Sequence, residues 1–211
     1  MKNLLYKELT LVIPKLMYLF LLFPVMLLIP HYPAAVGTGY VMLMIFIISN
    51  PSDKDLEFTA SLPVRRADIV LARMLTVCLL EILTLLVGIP FAVGARYLYG
   101  FNIVGMDANF AFFGFILLGY TAFNALFLPL YFRTGYKAGI PALCGLIAYV
   151  LLILALELLV AFVPALRILD SVGTANIGWQ LLALGVGLVV YVGSAPVILR
   201  AAVRNFEKVN L

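Results

Sequence analysis

The sequence predicts an all-α integral membrane protein with six transmembrane helices. Of its 211 residues, 65% are hydrophobic and only 11% are charged, whereas a soluble domain carries roughly 25% charged residues. Apolar runs recur along the whole length, so one N-terminal signal peptide cannot account for them. The polar intervals are shorter than the roughly 50 residues that a soluble domain requires. We therefore expect residues 1–211 to form a single transmembrane domain.

Six apolar runs are candidate spans, because a helix crosses the hydrocarbon core with roughly 20 residues. They cover about residues 16–31, 34–49, 74–95, 109–130, 139–163 and 179–199. The first two are short, and Lys15 must extend its ammonium group to water if the first is to cross. The prolines of the connecting "PHYP" favour a tight turn between them. A single re-entrant hairpin in place of these two spans is the alternative.

The N-terminal stretch "MKNLLYKELTLVIPK" predicts an amphipathic helix that lies in the membrane surface. Helical spacing puts four apolar residues on one face and three charged residues elsewhere. The apolar residues are Leu4, Leu5, Leu9 and Val12, and the charged residues are Lys2, Lys7 and Glu8.

The distribution of Lys and Arg predicts the orientation, since these residues concentrate in cytoplasmic loops. With the N-terminus inside, only Arg96 and Arg167 of the 14 basic residues lie on the outer side. Both termini are therefore expected in the cytoplasm. The net charge of +4 reflects this topology, so no nucleic-acid partner is needed to explain it.

Motifs for catalysis, metal binding and nucleotide binding are absent from the sequence. Cys78 and Cys144 both fall inside predicted spans, where a free Cys behaves as a small hydrophobic residue. His31 is the one histidine, and a metal site needs more ligands than it offers. The chain has no "GxSxG", "HExxH" or "GxxxxGK[ST]" motif. We expect no enzyme activity and no cofactor in this chain.

Two carboxylates, Glu81 and Glu157, lie inside predicted spans and are candidate functional residues. An ionisable group in hydrocarbon is costly enough to suggest a role. Glu81 lies about two turns from the cytoplasmic end of its span, beside Thr84, and Glu157 lies near the outer end of another. A proton-coupled carrier could use either one, although no intramembrane Lys, Arg or His accompanies them. The alternative is a protonated, hydrogen-bonded or interface-facing residue.

Residues 50–73, "NPSDKDLEFTASLPVRRADIVLAR", concentrate eight charged residues between two apolar runs. Four are acidic and four are basic, which differs from a polybasic lipid-binding segment. Leu56, Phe58 and Leu62 are apolar in positions that a solvated loop does not require. Pro63 is expected to end one short helix, and a second helix starts near Arg66 and continues into the third span. Such a segment suits docking of a soluble partner, and a solvated connector is the alternative.

The run "D-x-E-F-T-A-S-L-P-V-x-R-x-x-I-V-x-A-R", from Asp55 to Arg73, resembles a signature of small bacterial ABC-2 type permeases. Similar members include the membrane subunits of phenol-soluble modulin exporters and of bacteriocin or antibiotic exporters. The opening "MKNLLYKEL" also resembles the first amphipathic helix of this family. In one departure, Arg65 stands where relatives often carry a Ser that could cap the following helix.

The resemblance implies the membrane subunit of an ATP-binding cassette exporter in the bacterial plasma membrane. Such a subunit works as a homodimer or heterodimer, contacts membrane lipids and is driven by a separate ATPase subunit. The coupling helix of the family maps onto about residues 53–62. The implied ATPase-docking residues are Asp55, Leu56, Glu57, Phe58, Leu62, Pro63 and Arg66.

The expected mechanism is alternating access, in which ATP-driven closure of the ATPases moves the coupling helix and rocks the spans. The substrate is expected to be amphipathic or hydrophobic, because the spans carry few fixed charges. Aromatic residues crowd the fourth span, where lipid-facing packing explains them equally well. The alternatives are an ion-coupled secondary carrier that uses Glu81 or Glu157, and a non-transporting membrane anchor or immunity protein.

Overall fold

The fold, taken from a computed structural model, is helical throughout the part of the chain that the structure describes. That part comprises residues 2–30, 32–50, 64–100, 104–135, 137–171 and 176–209. The α-helices are α1 (Lys2–Lys7), α2 (Ala34–Ile48), α3 (Arg66–Tyr99), α4 (Phe110–Arg133), α5 (Gly139–Phe162) and α6 (Ile177–Glu207). A π-helix (Glu8–Val12) continues α1, and two 3-10 helices cover Lys15–Leu28 and Pro164–Asp170.

Four helices, α3 to α6, are long and apolar enough to cross a membrane. They contain 34, 24, 24 and 31 residues, and a helix rises about 1.5 Å per residue. Each therefore exceeds the roughly 30 Å of a hydrocarbon core. Their outward faces carry exposed apolar side chains, such as Leu151 on α5 and Val189 on α6. These faces fit contact with lipid or with another membrane subunit.

The first two predicted spans have a different form from the other four. Residues Asn3–Val12 and Lys15–Leu28 are two helical pieces bent by 81° at a short break, and together they qualify as a broken span or a re-entrant segment. Pro14 lies at this break, where it lacks the N–H that a continuous helix requires. Helix α2 is apolar but has only 15 residues. The described residues thus contain four to five helices able to span a membrane, where the sequence predicts six.

Helix α4 lies at the centre of the bundle and packs most extensively against α6 and α5. Gly114 on α4 and Gly187 on α6 let the two backbones meet: an added Cβ on either residue would collide with the other helix. Small residues at such crossings allow close helix packing in membranes. Phe123, Phe127 and Tyr131 form a buried stacked ladder along α4, with ring centroids 5.0 and 5.4 Å apart. These aromatics fill the core, which decides against lipid-facing packing for this part of α4.

The N-terminal segment differs from the predicted amphipathic pattern at Glu8, whereas the four residues predicted for its apolar face are all partly buried. Glu8, expected away from the apolar face, is buried, and Leu11 is 74% exposed. The segment widens into a π-helix at Glu8, which changes the angular spacing of the side chains that follow. Glu8 also has a buried partner, Arg73, and this ion pair turns the carboxylate toward the bundle.

The helix connections give the bundle two distinct ends. At the charged end, α2 and α4 terminate, α3 and α5 begin, and α6 terminates at Glu207. At the opposite end, α3 leads to α4 and α5 leads to α6 through the second 3-10 helix. Helix α3 begins at Arg66, where the sequence places a helix start, and it runs without a break to Tyr99.

Candidate functional site

Most of the predicted ATPase-docking residues lie outside the described residues. These are Asp55, Leu56, Glu57, Phe58, Leu62 and Pro63, all within residues 51–63. Arg66, the last of the set, is described. It lies in the first turn of α3, directly after the helix cap at Arg65.

Arg66 binds the C-terminal end of α6 rather than pointing freely to solvent. One of its guanidinium nitrogens donates hydrogen bonds to the carbonyls of Phe206 (2.9 Å), Glu207 (3.3 Å) and Val209 (2.9 Å). The guanidinium also lies 5.3 Å from the centre of the Phe206 ring. The last carbonyls of a helix have no partners within it, and a positive charge there is favourable. Arg66 therefore connects the start of α3 to the end of α6.

Arg73 is a second junction, two helical turns further along α3. Its Nε atom lies 3.2 Å from Glu8 Oε2 in an ion pair whose two side chains are 4% and 8% exposed. This contact is a close charge pair rather than an aligned hydrogen bond. Arg73 also donates to the carbonyl of Ile48 (3.3 Å) and lies 6.0 Å from the centre of the Tyr131 ring. It thus joins the N-terminal segment, the end of α2, and α4.

The two arginines together make the charged end a single connected unit. Residues seven apart lie on nearly the same face of an α-helix, so Arg66 and Arg73 project from one side of α3. Both follow closely after residues 51–63. These two side chains connect α3 to four other elements.

Glu81 is fully buried where α3, α4 and α6 meet. Its Oε2 atom accepts hydrogen bonds from Asn124 Nδ2 (2.8 Å) and from the Tyr191 hydroxyl (2.6 Å). Thr84, its neighbour on α3, donates to the Leu80 carbonyl of its own helix instead. Glu81 is therefore a polar contact point of three helices.

Glu157 has a different environment from Glu81, because it is only partly buried and lies toward the opposite end. Gly105, at φ +78°, brings its backbone against this carboxylate: an added Cβ would lie 3.3 Å from Glu157 Oε1. Glu157 also lines one end of a cavity. Of the two intramembrane candidates, it is the one that borders an open space.

That cavity is an apolar groove between α2 and α5 with a volume of about 630 Å³. Its walls are almost entirely aliphatic and aromatic, including Tyr40 and Leu43 from α2 and Leu146 and Val150 from α5. Ligand pockets are typically about 300–1,000 Å³ and mostly apolar. The groove thus has the size and chemistry of a site for a hydrophobic molecule.

Two buried tyrosines hold α2 beside this groove. Tyr149 on α5 donates to the Ala35 carbonyl (2.9 Å), and Tyr120 on α4 donates to the Thr38 carbonyl (2.8 Å). Their rings stack with centroids 6.1 Å apart. This arrangement fixes the first turns of α2 to the central helices.

A polar cluster closes the opposite end of the bundle. The Asp107 amide donates to Asp170 Oδ1 (2.8 Å), and Asn109 donates to the Leu169 carbonyl (2.8 Å) while capping α4. Burial raises the pKa of the Asp170 carboxyl, and the negative charge of Asp107 adds to this rise, whereas the bond from the Asp107 amide opposes it. Asp170 lies in the second 3-10 helix, outside the long helices.

The described residues contain no group of His, Cys, Asp or Glu side chains that could hold a metal ion. Cys78 and Cys144 are free thiols.

Sequence reasoning missed the partners of the buried charges. Asn124, Tyr191 and Glu8 all carry polar atoms that the structure brings to Glu81 or Arg73. A polar amide inside an apolar run is itself costly, so Asn124 could have been singled out. The pairing of Glu8 with Arg73 had no sequence signal, because 64 residues separate them and the segment looked like a surface helix.

The fold and these sites define a helical membrane protein whose charged end is organised around the start of α3. A family model described as "ABC-2 family transporter protein" matches residues 3–200. The chain therefore belongs to the ABC-2 transporter family. No curated protein and no solved structure gave a significant match.

Proposed function

We propose that this chain is the permease subunit of an ATP-binding cassette exporter in the bacterial plasma membrane. In this proposal a separate ATPase subunit supplies the energy, and the permease works as a homodimer or heterodimer. Membership of the ABC-2 transporter family supports the class. The observation that carries the coupling step is the junction at the charged end, where Arg66 and Arg73 connect α3 to the rest of the bundle.

The proposed topology has six spans with both termini in the cytoplasm. A 3-10 helix rises about 2.0 Å per residue, so the 14 residues of Lys15–Leu28 cover about 28 Å, close to the roughly 30 Å of a hydrocarbon core. The 15 residues of α2 cover only about 22 Å at 1.5 Å per residue. Local thinning of the bilayer or oligomerisation can accommodate such a short span. The charged end is then the cytoplasmic end.

Docking of the ATPase is assigned to residues 50–73. Leu56, Phe58 and Leu62 provide apolar anchors, and Asp55 and Glu57 provide a polar rim, as at other protein interfaces. Pro63 separates this docking segment from α3. Arg66 has a different role from the docking residues in this proposal, because its guanidinium is bound to α6. Motion of the docked segment would pass through α3 to α6, α2 and the N-terminal segment.

The substrate proposed for this exporter is amphipathic or hydrophobic. The α2–α5 groove supports this class, since its walls are apolar and Glu157 at one end supplies a polar group. The groove borders the exposed faces of α2 and α5, where Leu43 and Leu143 are 44% and 57% exposed. A second permease subunit against these faces would enclose the groove as a path through the dimer.

Docking is tested by recovering the ATPase with tagged permease variants in detergent, alongside transport in cells. Truncating a buried anchor at an interface typically costs about 2 kcal/mol, roughly thirtyfold in affinity. Phe58→Ala and Leu62→Ala should lower ATPase recovery by that order, and Lys54→Ala, a rim charge, should change it little. Wild-type recovery and transport for both anchor variants would contradict docking at this segment and favour a solvated connector.

The groove is tested separately by filling it. Val150→Trp should reduce transport while ATPase recovery stays normal, because the bulky ring fills the groove and the change leaves every residue of the docking segment in place. Leu182→Trp on α6 is the matched control, since that side chain is 58% exposed outside the groove. Equal transport by the two variants would remove the groove from the proposal. A chain that binds no ATPase and transports nothing would instead be an anchor or immunity protein.

A further inference from the structure

The hydrogen-bond pattern around Glu81 points to a bound proton. Both donors at this carboxyl, Asn124 Nδ2 and the Tyr191 hydroxyl, bond to the same oxygen, Oε2. A carbonyl-type oxygen has two lone pairs and can accept two such bonds. Oε2 therefore has the full set of partners expected for the C=O oxygen of a neutral carboxylic acid.

The other side-chain oxygens of Glu81 and Asn124 have no hydrogen-bond donor among the described residues. Glu81 Oε1 and Asn124 Oδ1 are both buried without a hydrogen-bond partner among the described residues. Turning the Asn124 amide over would not help, because its oxygen would then face Oε2, another acceptor. An ionised carboxylate only accepts hydrogen bonds, whereas a protonated one also donates. One proton on Oε1, donated to Asn124 Oδ1, gives both atoms a partner.

Among the described residues, the surroundings of Glu81 offer no positive charge that would take the place of this proton. In the described part of the chain, no lysine or arginine forms an ion pair or hydrogen bond with it. The titratable groups that face it are Cys78 on its own helix, Tyr120 on α4, Tyr149 on α5 and Tyr191 on α6. Thiol and phenol groups are ordinarily neutral at physiological pH. Burying an isolated carboxylate is far more costly than burying the neutral acid.

We propose that Glu81 is a proton-binding site: a neutral carboxylic acid whose Oε1–H donates to Asn124 Oδ1, in the three-helix contact of α3, α4 and α6. The acid and amide then exchange two hydrogen bonds, and Tyr191 adds a third from α6. Glu81 lies outside the walls of the α2–α5 groove and of the pocket at the opposite end, as the described residues form them. This role is independent of the exporter proposal.

The direct test is infrared spectroscopy of the full chain in lipid or detergent at neutral pH. The difference spectrum between wild type and Glu81→Gln should contain the C=O stretching band of a carboxylic acid. Asn124→Leu should move that band to higher frequency, because the acid loses the amide as a hydrogen-bond partner. A difference spectrum with only the two bands of an ionised carboxylate would overturn the proposal.

Thermal unfolding of the same variants gives a second, independent measurement. Glu81→Gln should unfold at nearly the wild-type midpoint, since its amide N–H can donate to Asn124 Oδ1 as the acid does. Glu81→Leu should unfold at a clearly lower midpoint, because it leaves Asn124 and Tyr191 without their buried acceptor. Equal loss for Gln and Leu would count against a neutral acid.

A monovalent cation between Oε1 and Oδ1 is the competing occupant. The probe is sodium chloride, with choline chloride at equal ionic strength as the control. The proposal expects the wild-type midpoint to be the same in both salts. A midpoint that rises with sodium in wild type but not in Glu81→Gln would replace the proton by a cation and overturn the proposal.

Discussion

Glu8 and Arg73 form a buried ion pair, with Arg73 Nε 3.2 Å from Glu8 Oε2, between the N-terminal segment and α3. The pair holds the segment against the bundle at the end where α3 begins. A buried pair does not by itself guarantee stability, because both charges lose their hydration. Removing one partner is destabilising, since the other charge stays buried after its close partner is lost.

Glu8→Ala should strongly destabilise the protein. The change removes Glu8 from its buried ion pair with Arg73, and breaking a buried pair by removing one partner typically costs about 3–5 kcal/mol. The expected result is a marked fall in the midpoint of thermal unfolding in detergent. Asp68→Ala is the matched control, because it breaks the Arg65–Asp68 pair, in which Arg65 is 85% exposed. Exposed pairs are worth about 0–1 kcal/mol, so similar losses for the two variants would show that the Glu8–Arg73 pair is not effectively buried.

The sequence predicted the helical membrane class well and the packing of Glu8 in the N-terminal segment poorly. Long apolar runs determine where α3 to α6 form, because hydrocarbon requires internally bonded backbone. The N-terminal segment was misread because helical periodicity assigns Glu8 to a face without information about what packs there. Only tertiary contact with Arg73, far along the chain, turns that carboxylate inward.

Gly187→Ala should disrupt the crossing of α4 and α6. An added methyl group would collide with the backbone at Gly114, and overpacking of this kind typically costs about 1–3 kcal/mol. Gly185→Ala is the control on the same helix, because nothing lies within 4 Å of its Cβ position. The measurement is the midpoint of thermal unfolding of each variant. Unchanged stability for Gly187→Ala would mean that the two helices separate at no cost.

Arg66→Ala should loosen the C-terminal end of α6 without removing a docking contact. The change deletes three hydrogen bonds to backbone carbonyls. Because this site is partly exposed and therefore screened, we expect a loss of about 1–2 kcal/mol. Limited proteolysis should cut the C-terminal end of α6 faster in Arg66→Ala, and Arg65→Ala should behave as wild type. Normal proteolysis combined with lost ATPase recovery would instead make Arg66 a direct docking residue.

The candidate sites show the same limit of sequence reasoning as the fold. Glu81 and Glu157 were found because ionisable residues in apolar runs are conspicuous. Helix packing gives these two residues different surroundings. Helices α4 and α6 bring Asn124 and Tyr191 to Glu81, whereas Glu157 borders the groove. The periodicity of a single helix contains no information about which neighbouring helix faces it.

The protein should become less stable as pH rises, because the Asp170 carboxyl at the closed end of the bundle loses its proton. Burial raises the pKa of its carboxyl above the ordinary value of 3.8, so the folded state holds a proton that the unfolded chain releases. Where the folded state binds more protons, stability falls with increasing pH. The free energy of unfolding should begin to fall near the ordinary pKa of 3.8. It should stop falling at a pH above the raised pKa. Asp170→Asn should reduce this slope, because the amide oxygen still accepts from Asp107 but does not titrate. The measurement is the unfolding midpoint of both proteins across mildly acidic pH, and parallel curves would contradict the assignment to Asp170.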